Sequence, residues 1–178
     1  MRFGQTLIRV SELRDAAELI EIDKLVWSSE TTPAELAPVT RESFLQQNPP
    51  GSQLVAVIEE RICGYLGFYC PTPLQSNGHV YEINIAVHPS YQRQGIGRAL
   101  MDGMKQHAAR QGIRKLCLRV LATNGKALEF YRSCGFMEQG RLVEEFYLGG
   151  RYVDDILLWY PLKQPKADEG QEGVKECP

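Results

Sequence analysis

Residues 83–100 read INIAVHPSYQRQGIGRAL, an apolar run that passes into a loop with Arg93, Gly95 and Gly97 and then into a helical pattern. Residues of these types in this order can hold an anion. Glycine lets the backbone approach a ligand closely, and the first turn of a helix offers free N–H groups at the positive end of its dipole. Arg93 and Arg98 can add charge-assisted hydrogen bonds to phosphate. Two other phosphate-binding patterns are excluded. A dinucleotide fingerprint needs a third glycine where Leu100 stands. A P-loop needs Gly-Lys followed by Ser or Thr, whereas Ala127 follows Gly125-Lys126.

A second stretch, residues 124–136 (NGKALEFYRSCGF), sets Asn124, Ala127 and Tyr131 ahead of Gly135-Phe136. Asn124 suits a helix N-cap and Gly135 a helix C-cap, so the segment is a short helix that carries a tyrosine.

The elements that must position these residues follow from periodicity. Thr6–Val10 reads as a strand, and Ser11 caps a helix running to about Trp27, with Leu19, Ile22 and Val26 on one face. Residues 28–39 form a loop and residues 40–47 a short helix. Residues 54–58 and 62–70 form a hairpin around Glu59-Glu60-Arg61, and residues 79–87 add a strand. Ile96, Ala99, Leu100, Gly103, Met104, His107 and Ala108 mark one face of the strongest helix, which Gly112 ends. Lys115–Leu121 is a strand. Met137–Leu148 and residues 151–160 form a last hairpin around Gly149-Gly150. The order β-α-α-β-β-β-α-β-α-β-β describes an α/β fold, a mixed sheet with helices on its faces. One domain is expected over residues 1–162. Residues 163–178, polar and without an apolar anchor, are expected to be a disordered tail.

Composition narrows the class. The chain has 178 residues, 43% of them hydrophobic and 24% charged, enough for one domain with a real core. A net charge of -2 gives no general attraction to nucleic acid or to an anionic membrane. No apolar run approaches a membrane span, and the N-terminus is not a secretion signal. Five cysteines form no C-x-x-C pair, and their odd number argues against a closed disulfide framework. The three histidines lack metal-site spacing, so no metal is expected. His107 falls on the apolar stripe of its helix and reads as a packed structural residue; His88 reads as incidental to its turn. These features describe a reduced, cytoplasmic protein, with assembly into a homodimer left open.

Together the two motifs resemble the GCN5-related N-acetyltransferase (GNAT) superfamily. Its Gln/Arg-x-x-Gly-x-Gly/Ala is met by Gln92-Arg93-Gln94-Gly95-Ile96-Gly97. Its downstream Asn, Ala and Tyr before Gly-Phe are met by Asn124, Ala127, Tyr131 and Gly135-Phe136. The resemblance extends more loosely over residues 6–162. It implies a mostly antiparallel sheet in which two parallel strands, residues 79–87 and 115–121, splay apart to form a cleft for acetyl-CoA. The backbone of Ile85, Ala86 and Val87 would meet the pantetheine arm, and the Val87 N–H would face the thioester oxygen. The N–H groups of Gln92, Arg93, Gln94, Gly95, Ile96, Gly97 and Arg98 would hold the pyrophosphate. Asn124 would touch the arm, Tyr131 would stand near the sulfur, and Glu82 is the candidate base.

The implied chemistry has clear demands. An alkylamine must lose a proton before it attacks. A fixed N–H stabilises the charge on the thioester oxygen, and a tyrosine hydroxyl close to the sulfur can give the departing thiolate a proton, the general-acid role expected of Tyr131. Direct attack needs no covalent intermediate, so the cysteines are not obligatory nucleophiles. Other readings stand beside these roles: Tyr131 as a half-buried aromatic, Asn124 as an ordinary cap, Glu82 as a solvated strand residue. Bacterial ribosomal-protein N-terminal acetyltransferases are similar across this core but carry a glutamate where Arg119 stands here.

For the acceptor amine, a small molecule or a protein, residues 28–39, 71–78 and 144–155 supply Glu30, Glu35, Glu144, Glu145, Asp154 and Asp155. Carboxylates facing the cleft would favour a cationic amine; the alternative is that they are simply solvated. Two other functions keep the same motifs: a non-catalytic acetyl-CoA-binding or regulatory module, and a protein-interaction domain in which the glycines are only structural.

Overall fold

The computed structural model describes residues 2–3, 6–28, 32–33 and 39–162. Eight strands form one sheet: β1 (Arg2–Phe3), β2 (Thr6–Val10), β3 (Gln53–Ile58), β4 (Arg61–Tyr69), β5 (Val80–Val87), β6 (Lys115–Leu121), β7 (Met137–Leu148) and β8 (Arg151–Pro161). Their spatial order is β1-β2-β3-β4-β5-β6-β8-β7. Neighbours are antiparallel except β5 and β6, which are parallel. Helices α1 (Ala16–Val26) and α2 (Arg41–Gln47) cover one face, and α3 (Ile96–Arg110) and α4 (Gly125–Ser133) serve the other. The expected tail, residues 163–178, lies outside the described residues, as do Glu30 and Glu35.

Alternation along the strands divides the core in two. Ile8, Leu54, Leu66, Ile83, Leu116, Leu118 and Ile156 pack under α3 with Leu100, Met101 and Met104. Val55, Ile62, Tyr65 and Ala86 point the other way, against Leu19, Ile22 and Phe44 of α1 and α2. Gly103 lets α3 sit close to the sheet, since a Cβ there would meet Ile8 Cγ2 at 2.9 Å. His107 packs its ring against Phe68 (5.1 Å between centroids), and burial, helped by Arg110, lowers its pKa. It is a structural histidine, as its stripe position implied.

Helix ends follow the sequence signals with one correction. Thr40 Oγ1 accepts from the Ser43 N–H at 3.1 Å to start α2. Both α3 and α4 end in a Schellman turn, with Gly112 and Gly135 at φ +77° and +89°. The correction is Ser11, which caps no helix. Its N–H donates to Gln53 O (2.8 Å) and its Oγ accepts from the Gly51 N–H (3.2 Å), so it extends the β2–β3 pairing. The chain then turns through residues 13–15, where Asp15 accepts from the Glu12 N–H (2.7 Å) and from Arg9 (2.6 Å). Among the cysteines, Cys63, Cys117 and Cys134 are free thiols. Cys70 is disulfide-bonded, which departs from the expectation of reduced cysteines throughout.

Candidate active site

β5 and β6 pair only at Val80↔Lys115, Tyr81↔Leu116 and Glu82↔Cys117, although β5 continues to Val87 and β6 to Leu121. Beyond Glu82 the strands diverge and leave backbone groups of β5 facing a gap. The His88 N–H reaches back to Cys63 O (2.9 Å). By strand alternation, the polar groups of Ile83, Ile85 and Val87 therefore face away from β4, into the gap. Ala86 differs: its side chain is buried against α1 and its backbone turns toward β4. Gln92 Nε2 donates to Val87 O (3.2 Å), tying the end of β5 to the loop that follows.

That loop begins as a 3-10 turn, Pro89–Tyr91, whose first N–H groups are served by His88: its Nδ1 accepts from the Ser90 N–H at 3.2 Å. His88 thus shapes the loop and is not incidental. Gln94 Nε2 closes on Ser90 O (2.9 Å). Arg93 and Gly95 both adopt left-handed backbone (φ +60° and +83°), which curls the chain so that successive N–H groups converge ahead of α3. Gln92 is the exception, since its N–H is spent on Pro89 O (3.3 Å). The two motif glycines do different work. A Cβ at Gly95 would meet open space, so glycine is required there by conformation. A Cβ at Gly97 would lie 3.2 Å from the Phe130 ring, so glycine there lets α4 pack on α3. Arg98 strengthens that contact through Ser133 Oγ (3.2 Å).

A cleft of about 150 Å³ opens at the gap, and its lining includes Trp27, Asn84, Ile85, Arg119, Asn124 and Tyr131. Tyr131 is placed by its helix end. It is the third residue from the C-terminus of α4, Phe136 N–H donates to its carbonyl (3.0 Å), and the two rings pack at 5.8 Å. The phenol is 7% exposed, and burial raises its pKa well above the ordinary tyrosine value, so it stays protonated. Asn124 caps α4 by accepting from the Ala127 N–H (3.2 Å), which leaves its amide N–H groups for the cleft.

Glu82 is not part of the lining. It stands two residues before Asn84 on the same strand face, about 7 Å along β5, beside Tyr69, whose phenol pKa is raised by burial and by Glu82. Cys117, its partner on β6, has its thiol pushed up to about 11 by burial and by the same carboxylate, so no thiolate nucleophile is available there.

On the α1 side, the cleft wall on β6 is Arg119. Its Nε donates to Asp155 Oδ2 at 2.5 Å and its Nη2 to Glu145 Oε1 at 3.2 Å. Asp155 is buried and Arg119 half-exposed. Next to this pair, Asp154 accepts from Arg141 (2.9 Å) and from the Glu144 N–H (2.8 Å). A bulge in β7, with Glu144 at φ +54°, brings Glu145 over Arg119. Thus Glu145, Asp154 and Asp155 are neither simply solvated nor free to face a ligand; arginines hold all three. Sequence reasoning did not find Trp27, Asn84 or Phe130. Asp23 on α1 and Trp27 just past its end stand four residues apart, and Gly67 pairs with Asn84, where a Cβ would meet Asn84 Oδ1 at 2.8 Å. The spacing was visible; the cross-strand space was not.

The profile of the acetyltransferase (GNAT) family matches residues 17–136. Two curated relatives are a spermidine N(1)-acetyltransferase of Vibrio cholerae, 38% identical over 74 residues, and a [ribosomal protein bS18]-alanine N-acetyltransferase of Escherichia coli K12, 47% identical over 55 residues. Those matches cover 41% and 31% of this chain and only 43% and 37% of the relatives, less than half of either. Among solved structures, smu.2055 from Streptococcus mutans is 31% identical with a TM-score of 0.82, covering 88% of this chain and 99% of that one. A phosphinothricin acetyltransferase from Sinorhizobium meliloti, in complex with AcCoA, shares the fold at 21% identity and a TM-score of 0.82, over 96% and 95% of the two chains. With the splayed strands, the curled loop and the asparagine–tyrosine helix in one cleft, the chain belongs to the acetyltransferase (GNAT) family.

Proposed function

We propose that the protein transfers an acetyl group from acetyl-CoA to a primary amine by direct attack. The observation that carries this reading is the gap between β5 and β6, with strand backbone facing into it and the protonated Tyr131 on its wall. In this reading the N–H groups of residues 93–98 receive the pyrophosphate, and the backbone of Ile85 and Val87 meets the pantetheine arm. The amine nitrogen bonds to the thioester carbon, negative charge gathers on the oxygen near the Val87 N–H, and the C–S bond then breaks to give the amide and CoA thiol.

Magnitudes limit what Tyr131 does. A thiol resembling cysteine titrates about 1.5 units below a tyrosine, so full proton transfer from even an unperturbed phenol would be uphill by about 2 kcal/mol. Burial widens that gap. Tyr131 therefore acts as a hydrogen-bond donor to the developing thiolate, with the proton balance met by the one the amine loses. Glu82 lies too far along β5 for direct contact at the lining and would take, through water, the earlier proton that an ammonium acceptor sheds before it attacks. Glu82→Gln is then expected to lower the rate chiefly below the acceptor's own pKa, where deprotonation limits attack.

The test is CoA release with a panel of amines, together with a melting scan in acetyl-CoA. Binding to the native state alone raises Tm. A chain that melted unchanged in millimolar acetyl-CoA and released no CoA with any amine would not be this enzyme.

A further inference from the structure

Trp27 ends α1, its backbone N–H closing on Asp23 O at 3.0 Å. Its indole N–H is shared between Asp23 Oδ1 at 3.1 Å and Tyr65 Oη at 2.9 Å, and the Tyr65 hydroxyl donates to the same carboxylate oxygen. Tyr65 is 4% exposed, within the core under α1, and burial raises the pKa of both Asp23 and Tyr65. A buried network of this kind fixes orientation more than it adds net stability, since apolar side chains would fill the same space. Here it fixes a residue that lines the cleft.

The facing wall has the opposite character. Arg119 is the one charged residue lining the cleft among the described residues, and Asp155 and Glu145 already hold it. The three together carry one net negative charge. Among the described residues no cation is left there to receive an acceptor carboxylate, whereas an indole held by its N–H can still meet an ammonium with its ring.

We infer that Trp27, locked by Asp23 and Tyr65, is the acceptor-side wall of the cleft, and that it selects an extended cationic alkylamine with no carboxylate beside the reacting nitrogen. This rests on the transferase reading. Asp23 and Tyr65 are positioning residues that act through the indole.

The test uses the full chain with spermidine as the cationic probe and free arginine, whose one primary amine stands beside its carboxylate, as the carboxylate-bearing one. Trp27→Leu is expected to raise the spermidine KM about 5- to 30-fold, with acetyl-CoA Kd changed less than twofold by calorimetry. Trp27→Phe should recover most of that loss. Tyr65→Phe, which keeps the ring, should raise KM by a smaller factor without lowering kcat. Arginine should be the poorer acceptor in the parent and gain relative to spermidine in Trp27→Leu. In a Trp159→Phe background Trp27 is the sole tryptophan, and spermidine added to the CoA-bound protein should change its emission. An unchanged spermidine KM in Trp27→Leu, or an acetyl-CoA Kd that shifts as much as KM, overturns the inference while leaving the transferase reading intact. Emission that responds to spermidine without any turnover supports the wall and overturns the transferase reading; emission that does not respond overturns the wall in either case.

Discussion

The two sides of the cleft are held by different kinds of interaction. The side proposed for acetyl-CoA, the donor side, is a backbone device: diverging strands, two left-handed residues at Arg93 and Gly95, and the N-terminus of α3. Its side chains serve mainly to shape the main chain, as Gln92, Gln94 and His88 do by bonding to nearby backbone groups. The proposed acceptor side is a side-chain device, in which Trp27 is fixed by Asp23 and Tyr65, and Arg119 by Asp155 and Glu145. Backbone devices depend on local sequence and tolerate exchange of most side chains. Side-chain devices join residues far apart in the chain, and each can be altered by one substitution, which suits the half of an enzyme that distinguishes substrates.

The largest expected effect lies where the two halves meet. Tyr131→Phe keeps the ring packed on Phe136 and removes only the hydroxyl. In steady-state assays kcat should fall roughly 10²–10³-fold, as for the loss of one hydrogen bond to developing charge, with acetyl-CoA Kd unchanged. Turnover at the parental rate would remove Tyr131 from the chemistry and leave a cleft in which water manages the protons.

Next comes the acceptor wall. Arg119→Met leaves the Asp155 carboxylate buried without its cation, a change that costs about 3–5 kcal/mol in fully buried pairs. Because Arg119 is half-exposed, about 2–3 kcal/mol is expected by urea unfolding, with acetyl-CoA affinity retained. A loss of acetyl-CoA binding in this variant would show that the two halves are not separable.

On the donor side the two glycines should respond differently. Gly95→Ala forces an L side chain to φ +83°, a cost of roughly 1–2 kcal/mol borne by the loop, and acetyl-CoA affinity should weaken with it. Gly97→Ala meets the Phe130 ring instead, so its cost should appear in α3–α4 packing, and trimming Phe130 to Leu should relieve it. Equal behaviour of the two variants in calorimetry would contradict the division of labour.

The smallest effect concerns the start of α1, remote from both walls. Burial raises the Asp15 pKa, but Arg9 and the Glu12 N–H outweigh it, and the net shift is downward. A carboxyl whose folded pKa is depressed stabilises the fold fully above its unfolded value, about 3.9, and loses that contribution as pH falls through the folded value. Asp15→Asn should therefore flatten the stability profile below about pH 4 by roughly 1 kcal/mol. Acid-limb profiles that superimpose for parent and variant would show that Arg9 gains nothing from the charge.

The sequence by itself determined the elements and the local backbone of the proposed donor half. Alternation set the strands, 3.6-residue periodicity set α1 and α3, and Gly95, Gly112, Gly135 and Asn124 marked turns whose backbone angles or caps are local matters. Such features depend on neighbours within a few residues, so one chain segment suffices to read them. Ser11 shows the limit even there: a residue suited to cap a helix was instead taken by Gly51 and Gln53, some forty positions away. The acceptor half was decided only by tertiary structure. Acidic residues in the last hairpin could be read as facing the cleft or as simply solvated, yet Asp155 and Glu145 are held by Arg119 and Asp154 by Arg141. Trp27 became a cleft wall because Tyr65, thirty-eight residues on, meets its indole. The physical reason is that a carboxylate or an indole has no fixed role until burial removes water and leaves it a particular partner, and which partner that is depends on the sheet order and register that bring distant strands side by side.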